Sequence, residues 1–132
     1  MLHIDDNAPV RGLMADTVVS LTESHRVWEA RDIFERCGLH HLPVIDERRA
    51  LVGIVSHTDL YRAGVDQTFP EDGPPADRAR LKLPISKIMR RDPVTVRPDD
   101  PVELALSILA EGSFHSLPVL DEEGRLVGML TT

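Results

Sequence analysis

The residues of this chain best suited to chemistry are its six histidines. His40 and His41 are adjacent, so on a β-strand their side chains point to opposite faces and do not chelate one ion together. No carboxylate–histidine cluster with metal-ligand spacing accompanies them, and no metal site is predicted. Structural, ligand-contacting and pH-sensing roles remain open for these histidines.

A second pair of interest is Ser56 and Asp59, which stand in the sequence SHTD directly after an apolar run. An ionised carboxylate accepts several hydrogen bonds, and a serine hydroxyl both donates and accepts. The same residue types are favoured at helix N-termini, and a short helix is predicted to be capped near Thr58 or Asp59. From these residues alone, helix capping and ligand binding both remain open for Asp59.

Catalytic motifs are missing from the sequence. There is no Gly-rich loop before a helix, no nucleophile elbow and no His-Glu-x-x-His. The single cysteine, Cys37, excludes an internal disulfide, and its place on an apolar helical stripe predicts a buried thiol. The chain is therefore not expected to be an enzyme.

The composition indicates a soluble domain of the cytoplasm. The 132 residues are 42% apolar, and no apolar run approaches the roughly 18–20 residues that span a bilayer. The N-terminal residues MLHIDDNAPVRG lack the apolar stretch of a secretory signal. A net charge of −7 argues against nucleic-acid and membrane partners, although it does not forbid a small anionic ligand.

The chain repeats itself at a spacing of 75 residues. Leu13–His57 aligns with Ile88–Thr132 without a gap, and 14 of the 45 pairs are identical. The identical pairs are Met14/Met89, Val19/Val94, Val27/Val102, Ala30/Ala105, Ile33/Ile108, His40/His115, Leu42/Leu117, Pro43/Pro118, Val44/Val119, Asp46/Asp121, Glu47/Glu122, Leu51/Leu126, Val52/Val127 and Gly53/Gly128.

Each copy predicts a β-α-β-β-α unit of the α+β class. The extended pieces TVVSL and PVTVR are rich in β-branched residues, an amphipathic helix follows, and two strands joined by DERR or DEEG form a hairpin. The predicted boundaries are a lead-in over 1–12, repeat 1 over 13–63, a linker over 64–86 with a helical turn in ADRARL, and repeat 2 over 87–132. Because neither repeat can bury both of its faces alone, the two are predicted to pack about a pseudo-twofold axis with equivalent clefts between them.

The two copies of the repeat resemble a known protein family. Each copy resembles a CBS (cystathionine-β-synthase) domain, and the chain is similar to a tandem CBS pair, or Bateman module. The resemblance rests on LPVID and LVGIVSHTD in the first copy and on LPVLD and LVGMLTT in the second, and it covers the chain from Leu13 onward apart from the linker. It implies a regulatory module that binds AMP, ADP, ATP, S-adenosylmethionine or NAD between the repeats and requires no cofactor. It also implies a homodimer formed through CBS–CBS contacts and allows for an effector domain or protein.

The resemblance further implies site residues. Its ribose-binding [Ser/Thr]-x-x-Asp sequence falls on Ser56 and Asp59, whose carboxylate would accept hydrogen bonds from both ribose hydroxyls. Arg90 and Arg91 are interpreted either as solvated surface or as a phosphate contact. The other positions implied to line the ligand are Ile54, Val55, Thr17, Val19, His40, His41, His115, Ser116, Thr95 and Thr131.

The second copy departs from this pattern after Thr131, which matches Ser56. The position that matches Asp59 and the terminal helix would lie beyond the last residue, so repeat 2 is interpreted as truncated and the chain as a fragment of a longer protein. The site with Ser56 and Asp59 is therefore predicted to be the more complete one. The competing interpretations are a ligand-free dimerisation scaffold and the regulatory fragment of a larger enzyme, channel or transporter.

Overall fold

The computed structural model describes residues 7–65, 75–112 and 115–131. This part of the chain forms an α+β fold, as predicted, and divides into two compact units that are described separately below. Residues 66–74 of the predicted linker and 1–6 of the predicted lead-in lie outside the described residues. None of the helices in the described ranges is long and apolar enough to cross a membrane.

The first unit, called here the Asp59 unit, consists of Val19–Glu47 and Val52–Asp92. Its helices and strands are α1 (Val27–Cys37), β1 (His41–Ile45), β2 (Leu51–Ser56), α2 (His57–Arg62) and α3 (Pro75–Leu81). The first residue of β2, Leu51, belongs to the other unit. The two strands pair with each other, and α3 contains the helical turn predicted in ADRARL. The buried core comprises Leu21, Val27, Ala30, Phe34, Leu42, Val44, Val55, Leu60, Val65, Leu81, Ile85 and Met89.

Helix α1 forms because apolar residues recur at helical spacing. Val27, Ala30 and Phe34 are all buried in the core. The helix ends at Gly38, which takes a left-handed φ of 64° and donates its N–H to the Phe34 carbonyl. Cys37 lies in the last turn, beyond the last buried residue, and is exposed. The prediction of a buried thiol is therefore wrong.

The second unit, called here the Ser116 unit, consists of Met1–Val18, Arg48–Leu51 and Pro93–Thr132. It contains α4 (Val102–Ala110), β3 (Ser116–Leu120) and β4 (Leu126–Thr131), and β3 and β4 are antiparallel. The buried core comprises Val10, Val96, Ala105, Leu117 and Val119. Each of the elements α1, β1 and β2 thus has its counterpart close to the position that the 75-residue repeat predicts.

Asp121 organises the turn between β3 and β4. Its Oδ1 accepts hydrogen bonds from the backbone N–H groups of Glu123 and Arg125, both at 2.9 Å, and its Oδ2 accepts one from Arg125 Nε at 3.0 Å. The hydrogen bond from the Arg125 backbone N–H is the largest cause that lowers the pKa of Asp121 below its ordinary value. The sequence DEEG therefore forms the predicted hairpin connection.

The predicted first strand of each repeat is reduced to a single bridge. Leu21 pairs in parallel with Val44, and Val96 pairs in parallel with Val119. Leu21 exchanges two backbone hydrogen bonds with β1, at 2.9 and 2.7 Å. The β-branched residues of TVVSL and PVTVR favour extended backbone, but a ladder also needs a partner strand in register. Within the described residues, each of these segments pairs in parallel with a strand at a single residue.

The opening segment of each repeat pairs with the hairpin of the other repeat. In the Asp59 unit, Arg90 and Ile54 exchange two backbone hydrogen bonds, each 2.9 Å long. In the Ser116 unit, Ala15 and Met129, which occupy the matching positions of the repeat, do the same at the same distance. The compact units therefore do not coincide with the predicted repeats, because each hairpin is completed by chain from the other copy.

This close approach explains the glycine in each LVG sequence. A Cβ atom on Gly53 would lie 2.7 Å from Met89 Sδ and 2.9 Å from the Arg90 carbonyl oxygen. A Cβ atom on Gly128 would lie 2.5 Å from the sulfur of the matching methionine, Met14. Both strands therefore need a residue without a side chain where the opening segment crosses them.

Replacing Gly53 by alanine is expected to lower the free energy of unfolding by about 1–3 kcal/mol, because the added methyl group overpacks against Met89 and the backbone of Arg90. Urea denaturation followed by circular dichroism measures the change. Gly12→Ala is the matched control, since nothing lies within 4 Å of its Cβ position. Equal stability of the two variants would contradict this packing.

Candidate functional site

The N-terminus of α2 brings Ser56 and Asp59 together. Ser56 Oγ accepts a hydrogen bond from the Asp59 N–H at 3.0 Å, and Asp59 Oδ2 accepts one from the Ser56 N–H at 2.9 Å. This reciprocal capping box makes Ser56 the N-cap and Asp59 the third helical residue. The predicted cap near Thr58 or Asp59 is therefore corrected to Ser56, because its hydroxyl is the side-chain group that reaches the free backbone N–H.

The second oxygen of the Asp59 carboxylate pairs with Arg90. Arg90 Nε donates a hydrogen bond to Asp59 Oδ1 at 3.1 Å. The Asp59 side chain is only 7% exposed, whereas that of Arg90 is 57% exposed. Burying a carboxylate costs free energy unless hydrogen bonds and an opposite charge replace water, as the Ser56 N–H and Arg90 do here. One oxygen thus caps the helix, and the other holds the arginine.

The other two predicted site residues on β2, Ile54 and Val55, lie on opposite faces of the strand. Ile54 and Ser56 lie on one face and are half-buried. Val55 lies on the opposite face, where its side chain is fully buried in the core. The burial of Val55 therefore indicates that its side chain packs in the core, and it does not support the predicted contact of that side chain with a ligand.

The remaining predicted residues of the Asp59 unit lie towards its surface. Val19 and His40 are exposed, and His41 is half-buried at the start of β1. The His40 carbonyl accepts a backbone N–H from the first residue of α2 at 2.9 Å. Arg91 is exposed, and its Nη2 lies 3.9 Å from an oxygen of Glu23. Surface ion pairs of this kind contribute little to stability.

The Ser116 unit places Ser116 directly opposite Thr131 in the β3–β4 ladder. Ser116 is 6% exposed, and its hydroxyl has no hydrogen-bond partner within the described part of the chain. A buried hydroxyl without a partner costs about 1–3 kcal/mol. Thr131, His115 and Thr17 are exposed, and Thr95 is half-buried. This unit therefore combines a buried hydroxyl with an exposed one on the neighbouring strand.

Two of the histidines have structural roles that their sequence did not specify. The His57 ring packs edge-on against Phe34, with 5.9 Å between ring centroids. His25 Nδ1 accepts the Thr22 N–H at 2.8 Å just before α1. Over residues 7–65, 75–112 and 115–131, no group of three or more His, Cys, Asp or Glu side chains is arranged to hold a metal ion.

The contact between Arg90 and Asp59 is the part of the site that sequence analysis missed. The two residues are 31 positions apart and belong to different predicted repeats, so no local periodicity relates them. The signal available was a departure from the repeat, since Arg90 aligns with Ala15 although the preceding Met89 aligns with Met14. A long cation in place of a methyl group marks a chemical difference between the two copies.

The CBS domain family model matches residues 10–66 and 85–132, and the chain belongs to this family. A CBS domain-containing protein of Dictyostelium discoideum is 33% identical over 124 residues, which are 92% of this chain and 84% of that protein. An inosine-5′-monophosphate dehydrogenase of Korarchaeum cryptofilum is 35% identical over 114 residues, which are 86% of this chain but 21% of that enzyme. The match therefore covers more than four-fifths of one relative and about a fifth of the other.

Solved structures of CBS proteins share the fold. Protein MJ1225 of Methanocaldococcus jannaschii has a TM-score of 0.84 at 29% identity, covering 97% of this chain and 46% of that one. CBSX2 in complex with AMP has a TM-score of 0.77 at 28% identity, covering 93% and 89%. The CBS pair of protein MJ0100, in complex with 5′-methylthioadenosine and S-adenosylmethionine, has a TM-score of 0.75 at 26% identity, covering 94% and 92%. The tandem CBS pair that the resemblance implied is confirmed.

Replacing Ser56 by alanine is expected to lower the free energy of unfolding by about 1 kcal/mol, since the Asp59 N–H loses its hydroxyl acceptor. Thr58→Ala, a matched change at an exposed position of α2, is expected to shift stability by less than about 0.5 kcal/mol. Urea titrations of both variants measure the difference. A larger loss for Thr58→Ala than for Ser56→Ala would contradict the capping assignment.

Proposed function

We propose that the chain is a regulatory module that binds an adenosine-containing ligand such as AMP, ADP, ATP, S-adenosylmethionine or NAD. The observation that carries the proposal is the buried Asp59 carboxylate, held between the capping box of α2 and Arg90. Two CBS proteins that match more than nine-tenths of this chain were solved with AMP and with S-adenosylmethionine. We also propose that this chain has a regulatory role and does not itself catalyse a reaction.

The Asp59 unit offers three kinds of contact to an adenosine moiety. The Asp59 carboxylate can accept hydrogen bonds from ribose hydroxyls, with Oδ1, which now pairs with Arg90, as the oxygen outside the capping box. Ile54, half-buried on the same strand face as Ser56, offers apolar surface to a purine ring. Arg90 places a guanidinium beside the carboxylate, where it can meet a phosphate group. Together these groups match the sugar, the base and the phosphate of a nucleotide.

The Ser116 unit is proposed as a second, weaker site. The buried Ser116 hydroxyl would regain a hydrogen bond if a ligand hydroxyl or ring nitrogen reached it. Thr131, its cross-strand neighbour, supplies a second hydroxyl. At the position that Arg90 occupies in the Asp59 unit, this unit has Ala15, which offers no charge to a phosphate. Weaker binding of phosphorylated ligands is therefore expected here.

Ligand binding would regulate through differences in affinity between conformations. A ligand shifts an equilibrium between two states only as far as it binds one of them more tightly. We propose that the output passes to a second copy of the chain in a homodimer or to an attached or partner effector. Light scattering with and without ligand measures any change in the population of dimers.

Isothermal titration calorimetry with AMP, ADP, ATP, S-adenosylmethionine and NAD tests the proposal. At least one ligand is expected to bind, and Asp59→Asn is expected to weaken it about tenfold or more, since a charge-assisted acceptor becomes neutral. The asparagine side-chain oxygen still accepts the Ser56 N–H, so α2 remains capped. Asp32→Asn is the matched control, because Asp32 lies on α1 of the same unit in an exposed pair with Arg36.

The outcomes of this titration separate the candidate functions. Equal weakening by both variants, or unchanged affinity in Asp59→Asn, would contradict the ribose assignment. No heat with any of the five ligands, together with a dimer that persists in Asp59→Asn, would favour a dimerisation scaffold. In that case the adenosyl-binding proposal is wrong.

A further inference from the structure

The oxygen of Asp59 that is not used in the capping box is already occupied. Oδ2 accepts the Ser56 N–H, and Oδ1 accepts Arg90 Nε. With only 7% of the Asp59 side chain exposed, the carboxylate has little open surface beside the guanidinium. A ribose hydroxyl that approaches Oδ1 therefore competes with Arg90 for the same acceptor.

Arg90 is fixed at its backbone, whereas its side chain is more than half exposed and is held through its contact with Asp59. Its backbone exchanges two hydrogen bonds with Ile54, each 2.9 Å long, and its side chain is 57% exposed. Nε is the guanidinium donor that the structure engages within the described residues, although the group carries five N–H donors in a planar fork. The guanidinium can thus rotate away from Asp59 and engage another anion without any change in the backbone.

Displacement of Arg90 from Asp59 depends on whether the ligand provides another hydrogen-bond acceptor for the guanidinium. When a ribose displaces Arg90 from Asp59, the guanidinium loses a charge-assisted hydrogen bond. A phosphate group on the same ligand restores it, because guanidinium donors match phosphate oxygens in pairs. A neutral nucleoside offers no such replacement, and the sulfonium of S-adenosylmethionine repels the cation.

We infer that Arg90 determines specificity at this site by covering Asp59 when no ligand is bound and transferring to the phosphate of a nucleotide. The inference rests on the proposed function. It names the ligand class as phosphorylated adenosine nucleotides, in preference to adenosine and S-adenosylmethionine. The Ser116 unit lacks this discrimination, because Ala15 holds the place of Arg90.

The test compares the dissociation constants of AMP and adenosine in the wild-type chain and in Arg90→Gln. The wild-type chain is expected to bind AMP at least tenfold more tightly than adenosine. In Arg90→Gln, adenosine binds more tightly because Asp59 is uncovered, and AMP binds more weakly because its phosphate loses the guanidinium. The ratio of the two constants is expected to fall about tenfold.

Arg36→Gln is the matched control, since Arg36 is an exposed arginine of the same unit and pairs with Asp32 instead of Asp59. Its ratio of constants should stay within about twofold of wild type. Arg90→Lys provides a second variant that keeps the charge opposite Asp59. Because an ammonium cannot form the paired contact with phosphate, its ratio is expected to lie between those of wild type and Arg90→Gln.

The outcomes distinguish this inference from the proposed function. If both ligands bind and the ratio of the AMP and adenosine dissociation constants is unchanged in Arg90→Gln and Arg90→Lys, the role of Arg90 is wrong. The proposed function is then still supported. An equal fall of the ratio in Arg36→Gln also overturns the role of Arg90, because the effect would then reflect general charge. No binding of either ligand to the wild-type chain refutes the proposed function and, with it, the role of Arg90.

Discussion

The pair of backbone hydrogen bonds between Arg90 and Ile54 is the constraint on which the candidate site depends. It holds the opening segment of repeat 2 along β2, so close that a side chain at position 53 would collide with Met89 and the Arg90 carbonyl. It also sets the Arg90 side chain beside α2, where Nε reaches Asp59 Oδ1. The glycine of LVG and the ion pair of the site thus have one cause.

The same constraint recurs in the Ser116 unit with different chemistry. Ala15 and Met129 exchange the equivalent hydrogen bonds, and Gly128 leaves the equivalent space. The backbone geometry of the repeat is therefore preserved, whereas the side chain at the matching position is Arg90 in one unit and Ala15 in the other. The candidate polar groups also differ in kind, since one unit has the buried Asp59 carboxylate and the other has the buried Ser116 hydroxyl at a position that aligns with His41. A repeated fold does not imply two equal sites, because function depends on the residues placed on the fold.

The sequence predicted the elements of this fold well, since their signals are local. The helical spacing of Val27, Ala30 and Phe34 and the glycine at position 38 set α1 within its observed bounds. The 75-residue repeat then located the helix and hairpin of the second copy. Local patterns failed where the outcome depends on partners distant in the chain. TVVSL has strand propensity, yet Leu21 makes a single bridge, because register is decided by the neighbouring strand.

The candidate site was predicted only in part for the same reason. Ser56 and Asp59 form one local motif, and the sequence brought them together correctly at the start of a helix. Their ion-pair partner comes from the opening of the other repeat, which sequence analysis had assigned to a separate half of the protein. Val55, next to Ile54, was expected at the ligand because of its place in the motif, but strand alternation turns its side chain into the core.

Amide hydrogen exchange measured by NMR at residues 54 and 90 tests the central claim most directly. If the opening segment of repeat 2 is an integral edge of the β1–β2 hairpin, the Ile54 and Arg90 amides will be protected to a degree comparable with Ile45, whose N–H donates to the Leu21 carbonyl at 2.7 Å. Exchange of both amides as fast as that of the exposed turn residue Glu47 would contradict the account, because Arg90 would then have no fixed position beside Asp59.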